Sequence, residues 1–416
     1  MLENFFSAPK TLCRLRSGPS GPYIDGFATE LGRAGYSGLT AVRYLRAASH
    51  LGFFMHRAHA GLEAVDPGTL KAFARHFARC RCRRSGGDTT GYHDYFGAKL
   101  FQGYLCQLGI CRGSEVGVAR VEEPALVAAF RAWLHAHRGA SKSTVRLYTR
   151  DATELVKELG EGVGTWTVGA VRGFVTDRAA RCGAGTTQKR ITSLRSFLRF
   201  LSASGQSSSD LADAVPAVAS WRLARLPRHL SEDEVARLIT TCDDLAAPSR
   251  VRDRAILLLL ARLGLRAGDV AQLRLEDIDW SGGTLLVAGK GRYQVRLPLP
   301  QDVGDALLAY MDGRPKTESS DRVFLRSIAP VESFKSGDGV SSVVKHALRR
   351  AGITSPAKGA HLLRHTAATQ MLRSGVPLDQ IGLVLRHRSL DMTAYYAKVD
   401  TSLLRGIAQP WPEVRS

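Results

Sequence analysis

Apolar residues recur at helical spacing along most of the chain, and this pattern predicts a mainly α-helical protein. In the middle of the chain it predicts four helices, over 122–137, 142–159, 167–181 and 186–203. Ser141 is placed to cap the second of these helices. Near the C-terminal end the pattern changes, because the two β-rich runs Thr284–Ala288 and Tyr293–Leu299 flank a Gly-Lys-Gly turn. We therefore expect a helical region followed by a mixed domain with a small sheet.

The domain boundaries follow from turn-forming residues and capping signals. A Ser-rich polar stretch at 202–209 is followed by Pro216 and Pro227, and then Ser231 and Glu234 form the pattern of a capping box. These features predict an additional N-terminal helical domain, a second helical domain, a linker and a C-terminal domain, over 1–120, 121–205, 206–228 and 229–416.

The two helical regions resemble each other in sequence. The pattern Ser37-x-x-Thr-x-x-x-Tyr recurs at Ser141, 104 residues later, and Phe73 corresponds to Phe174 at a separation of 101. The pattern at Phe101 recurs 96 residues later at Phe197. The order and offsets indicate a duplicated helical unit, against the alternative of chance matches between amphipathic helices.

The charge of the chain favours a polyanionic partner. The 416 residues carry 58 Lys and Arg against 38 Asp and Glu, a formal net charge of +20, and the excess is spread over the whole sequence. This distribution favours binding along double-stranded DNA, with a solvated basic surface as the alternative. The basic side chains expected to contact phosphates on the second helical domain are Arg146, Arg150, Lys189, Arg190, Arg195 and Arg199.

The sequence carries no sign of export or membrane insertion. No run reaches the 18 or so apolar residues that a membrane span needs, and the first residues lack a secretory signal pattern. The 7 cysteines are odd in number and irregularly spaced, as expected for reduced thiols. We expect a cytoplasmic protein.

Four short patterns in the last domain carry groups suited to phosphate chemistry. They are Gly264-Leu-Arg266, the turn that presents Lys290, His361-Leu-Leu-Arg364, and His387 with Tyr396 nine residues later. Paired guanidiniums bind the oxygens of a phosphodiester, imidazoles donate or move protons, and a phenol beside cations becomes a better nucleophile. No carboxylate cluster or Cys/His quartet accompanies them, which disfavours metal-assisted hydrolysis.

In this order and spacing, the patterns resemble the tyrosine recombinase (phage integrase) family, from His229 to the end of the chain. The resemblance implies a helical, SAM-like core-binding domain followed by an α+β catalytic domain with a small β-sheet. It implies site-specific DNA recombination through a 3′-phosphotyrosine intermediate, with Tyr396 as nucleophile and with neither cofactor nor metal. It also implies that the chain works on DNA as a homo-oligomer, a dimer to a tetramer, with possible companion recombinases.

The resemblance also implies a role for each matching residue. Arg266 and Arg364 clamp the phosphate, His361 and His387 assist, and Lys290 is the general acid. The expected biological use is the integration, excision or transposition of a mobile element. Relaxation of DNA by a type IB topoisomerase-like enzyme and a catalytically idle DNA-binding regulator of recombination remain alternatives.

Several assignments compete with neighbouring residues. Tyr396 is preferred to Tyr395 on its spacing from His387, and Lys290 to Arg292 because arginine rarely gives up a proton. His365 is expected to be structural or to support the catalytic residues from behind, since it points about 100° away from Arg364 on a helix. Arg386 stands where the family usually has glycine.

A group of cysteines and histidines in the first domain raises the question of zinc. Its members are His76, Cys80, Cys82, His93, Cys106 and Cys111. Their spacing matches no standard zinc finger, and reduced thiols on helices are the preferred interpretation.

Overall fold

The computed structural model describes residues 2–76, 80, 91–111, 123–207, 211–217, 228–243, 248–288, 294–315, 320–387 and 389–397. These residues form two compact units, one of residues 1–62, 73–108 and 225–416 and the other of 63–72 and 109–224. No helix in the described part of the chain is both long and apolar enough to cross a membrane.

The N-terminal region consists of helices in the described residues. They are α1 (Pro9–Ser17), α2 (Gly21–Arg33), α3 (Gly38–Arg57), α4 (Pro67–His76) and α5 (Gly91–Gln107). Ser37 caps helix α3, because its side chain accepts a hydrogen bond from the Thr40 N–H.

The middle region contains the four predicted helices, with ends that differ from prediction by a few residues. They are α6 (Ala125–Arg138), α7 (Lys142–Leu159), α8 (Val168–Ala180) and α9 (Ala184–Ala203). The Ser141 side chain accepts a hydrogen bond from the Thr144 N–H and caps α7, as predicted. Part of the predicted linker is packed rather than free, since Leu211 and Val215 are buried in the core of this unit. The apolar side chains of this linker segment explain why it packs against the core.

The two helical regions use the same aromatic packing. The rings of Phe27 and Phe101 lie 5.1 Å apart at 58°, and the rings of Phe130 and Phe197 lie 5.1 Å apart at 58°. Phe27 precedes Phe130 by 103 residues, close to the offsets of the sequence repeat. The duplicated sequence pattern therefore corresponds to matching core contacts.

The C-terminal region is an α+β domain. Its helices are α10 (Glu232–Thr240), α11 (Pro248–Arg262), α12 (Ala267–Gln272), α13 (Gln301–Asp312), α14 (Gly337–Arg350), α15 (Ala360–Arg373), α16 (Leu378–Leu385) and α17 (Leu390–Ala397). Ser231 and Glu234 form the predicted capping box of α10. Helix α11 lies at the centre of the core, with Ile256 to Leu260 almost completely buried.

The sheet of this domain has one strand more than predicted. Strands β1 (Ile278–Asp279), β2 (Thr284–Ala288) and β3 (Gln294–Pro298) are antiparallel in the order β1-β2-β3. The pair β2–β3 is the predicted hairpin. Strand β1 has two residues, too few for a period-2 pattern to reveal it.

Candidate active site

One face of the first turns of α15 carries three of the site's side chains. His361, Arg364 and His365 are spaced i, i+3 and i+4, so they share a face of the helix. The rings of His361 and His365 lie 4.6 Å apart. The sequence analysis does not count His365 among the catalytic residues, but it is four positions from His361 and therefore faces the same side of the helix.

Two guanidiniums meet at the end of α16. Arg364 is buried and donates from Nη1 to the Gly264 carbonyl at 2.6 Å and from Nη2 to the Leu385 carbonyl. Arg266 donates from Nη2 to the next carbonyl, that of Arg386, at 2.9 Å. Burial and the charge of Arg266 lower the pKa of Arg364 to about 10. Two cations held this close create a site for an anion.

Tyr396 lies in contact with the same group of residues. Its Oη is 2.8 Å from Nδ1 of His365, and the residue is only 2% exposed. Burial raises the pKa of Tyr396 to about 12, while the charge of Arg364 acts in the opposite direction. In this state of the protein the phenol keeps its proton.

The other tyrosine is placed differently. Tyr395 is half-buried, and its ring lies 6.1 Å from that of His365. The ring of Tyr396 is also stacked parallel to that of His387, at 6.1 Å between centroids. Position therefore supports Tyr396 as the residue that shares the site with the imidazoles.

The imidazoles are neutral at neutral pH. Burial, followed by the charges of neighbouring residues, lowers the pKa of His365 and of His387 to about 4 and also lowers the pKa of His361. His387 Nδ1 lies 2.8 Å from Oγ1 of Thr393, which is on α17. This contact connects His387 to the helix that carries Tyr396.

Arg386 forms an ion pair with a largely buried carboxylate. Its backbone is left-handed, with φ of 54°, a conformation that explains why glycine suits this position. Its Nη2 lies 2.6 Å from Oδ2 of Asp269, and its side chain is 5% exposed. The same carboxylate oxygen accepts from the Arg266 N–H at 3.2 Å. Arg386 thus fixes the end of α16 relative to Arg266.

Lys290 and its competitor Arg292 lie outside the described residues, so the general-acid assignment stays a prediction. Among the described residues, the His, Cys and carboxylate side chains close enough to hold a metal are His50, His76 and Cys80, which are in the N-terminal region.

The predicted phosphate-binding residues of the second unit differ in availability. Arg146, Lys189 and Arg199 are exposed. Arg190 is half-buried and pairs with Glu154 at 2.8 Å, and Arg195 donates to the Val215 carbonyl at 2.8 Å.

Two further arginines, Arg150 and Arg138, belong to this surface. Arg150 is exposed but pairs with Asp151 at 3.0 Å. Arg138, which the sequence analysis does not include, lines one groove with Arg195 and Arg199. Its position in the last turn of α6 gave no sequence signal of a shared groove.

A helical domain followed by an α+β domain, with two arginines, three histidines and a tyrosine gathered in one cluster around the buried Arg364 and Tyr396, defines the class of tyrosine-type DNA strand transferases. Residues 228–402 match the model of the phage integrase family, and residues 127–205 match its N-terminal SAM-like domain. The chain belongs to the phage integrase family of tyrosine recombinases.

Similar proteins agree with this assignment. The putative integrase/recombinase y4rA of Sinorhizobium fredii is 37% identical over 418 residues, which cover 99% of each chain. Among solved structures, the XerH site-specific recombinase bound to palindromic difH substrate has a TM-score of 0.55 at 18% identity, covering 67% of this chain and 83% of its own. A lambda integrase dimer bound to a COC′ core site has a TM-score of 0.52 at 18% identity, covering 70% and 98%. The two structures share the fold.

Proposed function

We propose that this recombinase cuts and rejoins DNA at specific sites through a 3′-phosphotyrosine intermediate formed on Tyr396. The Oη–phosphorus bond forms as the bond from phosphorus to the 5′ oxygen breaks, which leaves a free 5′-hydroxyl. A 5′-hydroxyl from a partner duplex then attacks the phosphotyrosine and releases Tyr396. The covalent intermediate stores the energy of the phosphodiester bond, so the exchange needs no nucleotide cofactor.

The observation that carries this proposal is the contact between Tyr396 and His365 beside two converging guanidiniums. Arg266 and Arg364 are already held by backbone carbonyls, so they bind the nonbridging oxygens of a phosphate without first becoming ordered. Bound phosphate also brings negative charge, which raises the pKa of the neighbouring imidazoles.

Two groups move the protons. With its own proton on Nε2, His365 accepts the hydrogen bond and then the proton of the Tyr396 hydroxyl at Nδ1, 2.8 Å away. Lys290 gives a proton to the departing 5′ oxygen, and His361 and His387 assist at the phosphate. Because Tyr396 is buried, DNA binding has to expose its hydroxyl to the scissile phosphate.

Double-stranded DNA is the proposed substrate, held by the basic groove of Arg138, Arg195 and Arg199. A homo-oligomer on DNA, dimer to tetramer, is the proposed working form, supported by the DNA-bound dimer of lambda integrase. Integration, excision or transposition of a mobile element is the proposed use, supported by the full-length match to a putative integrase/recombinase. A need for companion recombinases stays a prediction.

We also propose that the N-terminal region is a second copy of the core-binding unit with a different groove. The aromatic contacts and serine caps of the two regions correspond. At the positions of Arg138, Thr192, Ser196 and Arg199 the first copy has Ala34, Phe96, Leu100 and Gly103, all of which line a groove. The first groove is therefore largely apolar, which favours a contact other than phosphate.

The experiment that tests the mechanism uses suicide DNA substrates, which carry a nick beside the scissile phosphate. The wild-type chain is expected to form a covalent protein–DNA adduct that denaturing gels retain. Tyr396→Phe is expected to lose the adduct completely, and Tyr395→Phe, the matched control, to keep it.

The result also separates the rival functions. An adduct that persists in Tyr396→Phe overturns the nucleophile assignment, and no adduct with any substrate supports a DNA-binding regulator. Relaxation of supercoiled DNA without paired recognition sites supports a topoisomerase-like enzyme instead.

A further inference from the structure

Two histidines and a cysteine meet in the N-terminal region, far along the chain from the active-site residues. His50 is on α3, His76 is the last residue of α4, and Cys80 follows four residues later. Their ligand atoms all lie within 4.8 Å of one another, and Sγ of Cys80 is 3.5 Å from Nε2 of His50. The three side chains are half-buried.

This spacing suits one zinc ion. Zinc binds sulfur at about 2.3 Å and imidazole nitrogen at about 2.0–2.1 Å in a tetrahedron, which places a sulfur and a nitrogen ligand about 3.6 Å apart. The observed separation between Cys80 and His50 therefore matches an edge of the tetrahedron. The ligand atom of His76 lies within 4.8 Å of the other two.

The aromatic surroundings hold the imidazoles in place. The ring of His50 lies 5.1 Å from that of Phe73, and the ring of His76 lies 5.3 Å from that of Phe54. The two imidazoles are 5.3 Å apart. An apolar shell of this kind limits the access of water and fixes the orientation of ligands.

The other helical unit has acidic residues at the positions that correspond to His50 and His76. By the offsets of the repeat, 104 for α3 and 101 for α4, Glu154 corresponds to His50 and Asp177 to His76. Glu154 pairs with Arg190 at 2.8 Å and with Arg178 at 4.0 Å, which links α7 to α8 and α9. Where the second region has the Glu154 carboxylate in an ion-pair network, the first has the His50 imidazole.

We propose that His50, His76 and Cys80 bind a zinc ion that joins α3 and the end of α4 to Cys80. A thiolate with two imidazoles favours zinc over magnesium or calcium, which prefer oxygen ligands. The fourth position belongs to water or to a further side chain. This site departs from the sequence-based expectation of ordinary reduced thiols, because His50 joins the group only through the packing of α3 against α4.

The test measures metal in the full-length chain purified without chelator. Zinc is expected at one ion per chain by mass spectrometry. Replacement by Co²⁺ is expected to give the intense visible bands of tetrahedral cobalt and a thiolate charge-transfer band in the near ultraviolet. Removal of zinc by a chelator is expected to lower the melting temperature, and added zinc to restore it.

Variants assign the ligands. Cys80→Ser is expected to lose the charge-transfer band, and His50→Ala and His76→Ala to lose most of the bound metal. Cys13→Ser and His56→Ala, which change an exposed thiol and an exposed imidazole, are the matched controls and are expected to keep it. Wild-type chain that binds no zinc or cobalt overturns the proposal, as does a His50→Ala/Cys80→Ser double variant with full metal content.

Discussion

At the scale of single residues, the active site is set up for a ligand with negative charge. His365 and His387 lie beside Arg364 in a buried cluster, which keeps both imidazoles neutral, and Tyr396 keeps its proton for the same reason of burial. These protonation states follow from long-range contacts. In the proposed mechanism, the phosphodiester supplies the charge that balances the two guanidiniums.

The lowered pKa values predict how stability depends on pH. Between about pH 6.5 and about pH 4, the unfolded chain binds protons at His365 and His387 that the folded chain does not bind. The free energy of unfolding therefore falls as the pH is lowered through this window. Above the window, the contribution of these two histidines to stability is at its full value.

Melting temperatures measured across this range test the expectation. The His365→Gln/His387→Gln double variant is expected to show a flatter dependence on pH than wild type, whereas a change at the exposed His135 is expected to leave the slope unchanged. Equal slopes for wild type and the double variant contradict it.

At the scale of elements, the site forms where helix ends meet. Gly264, between α11 and α12, has φ of 58°, and a Cβ there would lie 2.5 Å from Cδ2 of Leu385. Glycine thus allows the backbone to approach the end of α16. The Gly264 carbonyl accepts a hydrogen bond from Arg364 there. The ion pair between Asp269 on α12 and Arg386 at the end of α16 holds the same helix ends together.

We expect the two partners of this ion pair to respond differently to substitution. Asp269→Ala leaves a buried guanidinium without its carboxylate, which costs roughly 3–5 kcal/mol. Arg386→Gly leaves Asp269 with its hydrogen bond from the Arg266 N–H and also relieves the left-handed backbone, so its cost is expected to be about 1 kcal/mol or less.

Urea unfolding of the single and double variants measures this difference. The double variant is expected to be more stable than Asp269→Ala alone, because the buried charge is gone. Additive losses would show that the pair does not act as described.

At the scale of the whole molecule, the two helical regions, which we propose to be copies of one unit, differ in the residues that line their grooves. The groove of the second copy contains Arg138, Arg195 and Arg199, and the corresponding groove of the first contains Phe96, Leu100 and the single cation Lys99. The basic groove has the character of a phosphate-binding surface, and the apolar one does not.

Matched changes in the two grooves test this division. Arg199→Ala is expected to weaken DNA binding several-fold and to reduce the slope of log affinity against log salt by about 1, as for one lost phosphate contact. Lys99→Ala, at the position that corresponds to Arg195, is expected to change neither. Fluorescence anisotropy titrations over a range of salt concentrations measure both, and an equal effect of the two variants contradicts the division.

The sequence by itself determined the elements and the chemical groups of the site. Helical periodicity, the Ser141 cap, the capping box at Ser231 and the hairpin strands are local features, and the structure confirms them. The sequence patterns around Arg266, His361 and His387 could also be predicted to carry site residues, because each pattern depends on residues a few positions apart. The role of Lys290 stays a prediction.

Only the tertiary structure decided which of these groups touch. It placed His365 against Tyr396, turned Arg386 toward Asp269, and brought His50 beside His76 and Cys80. It also paired Arg190 with Glu154 and packed part of the expected linker. Such contacts join residues up to 117 positions apart, as in the pair of Asp269 and Arg386, and they depend on how helices pack, which the periodicity of one sequence does not specify.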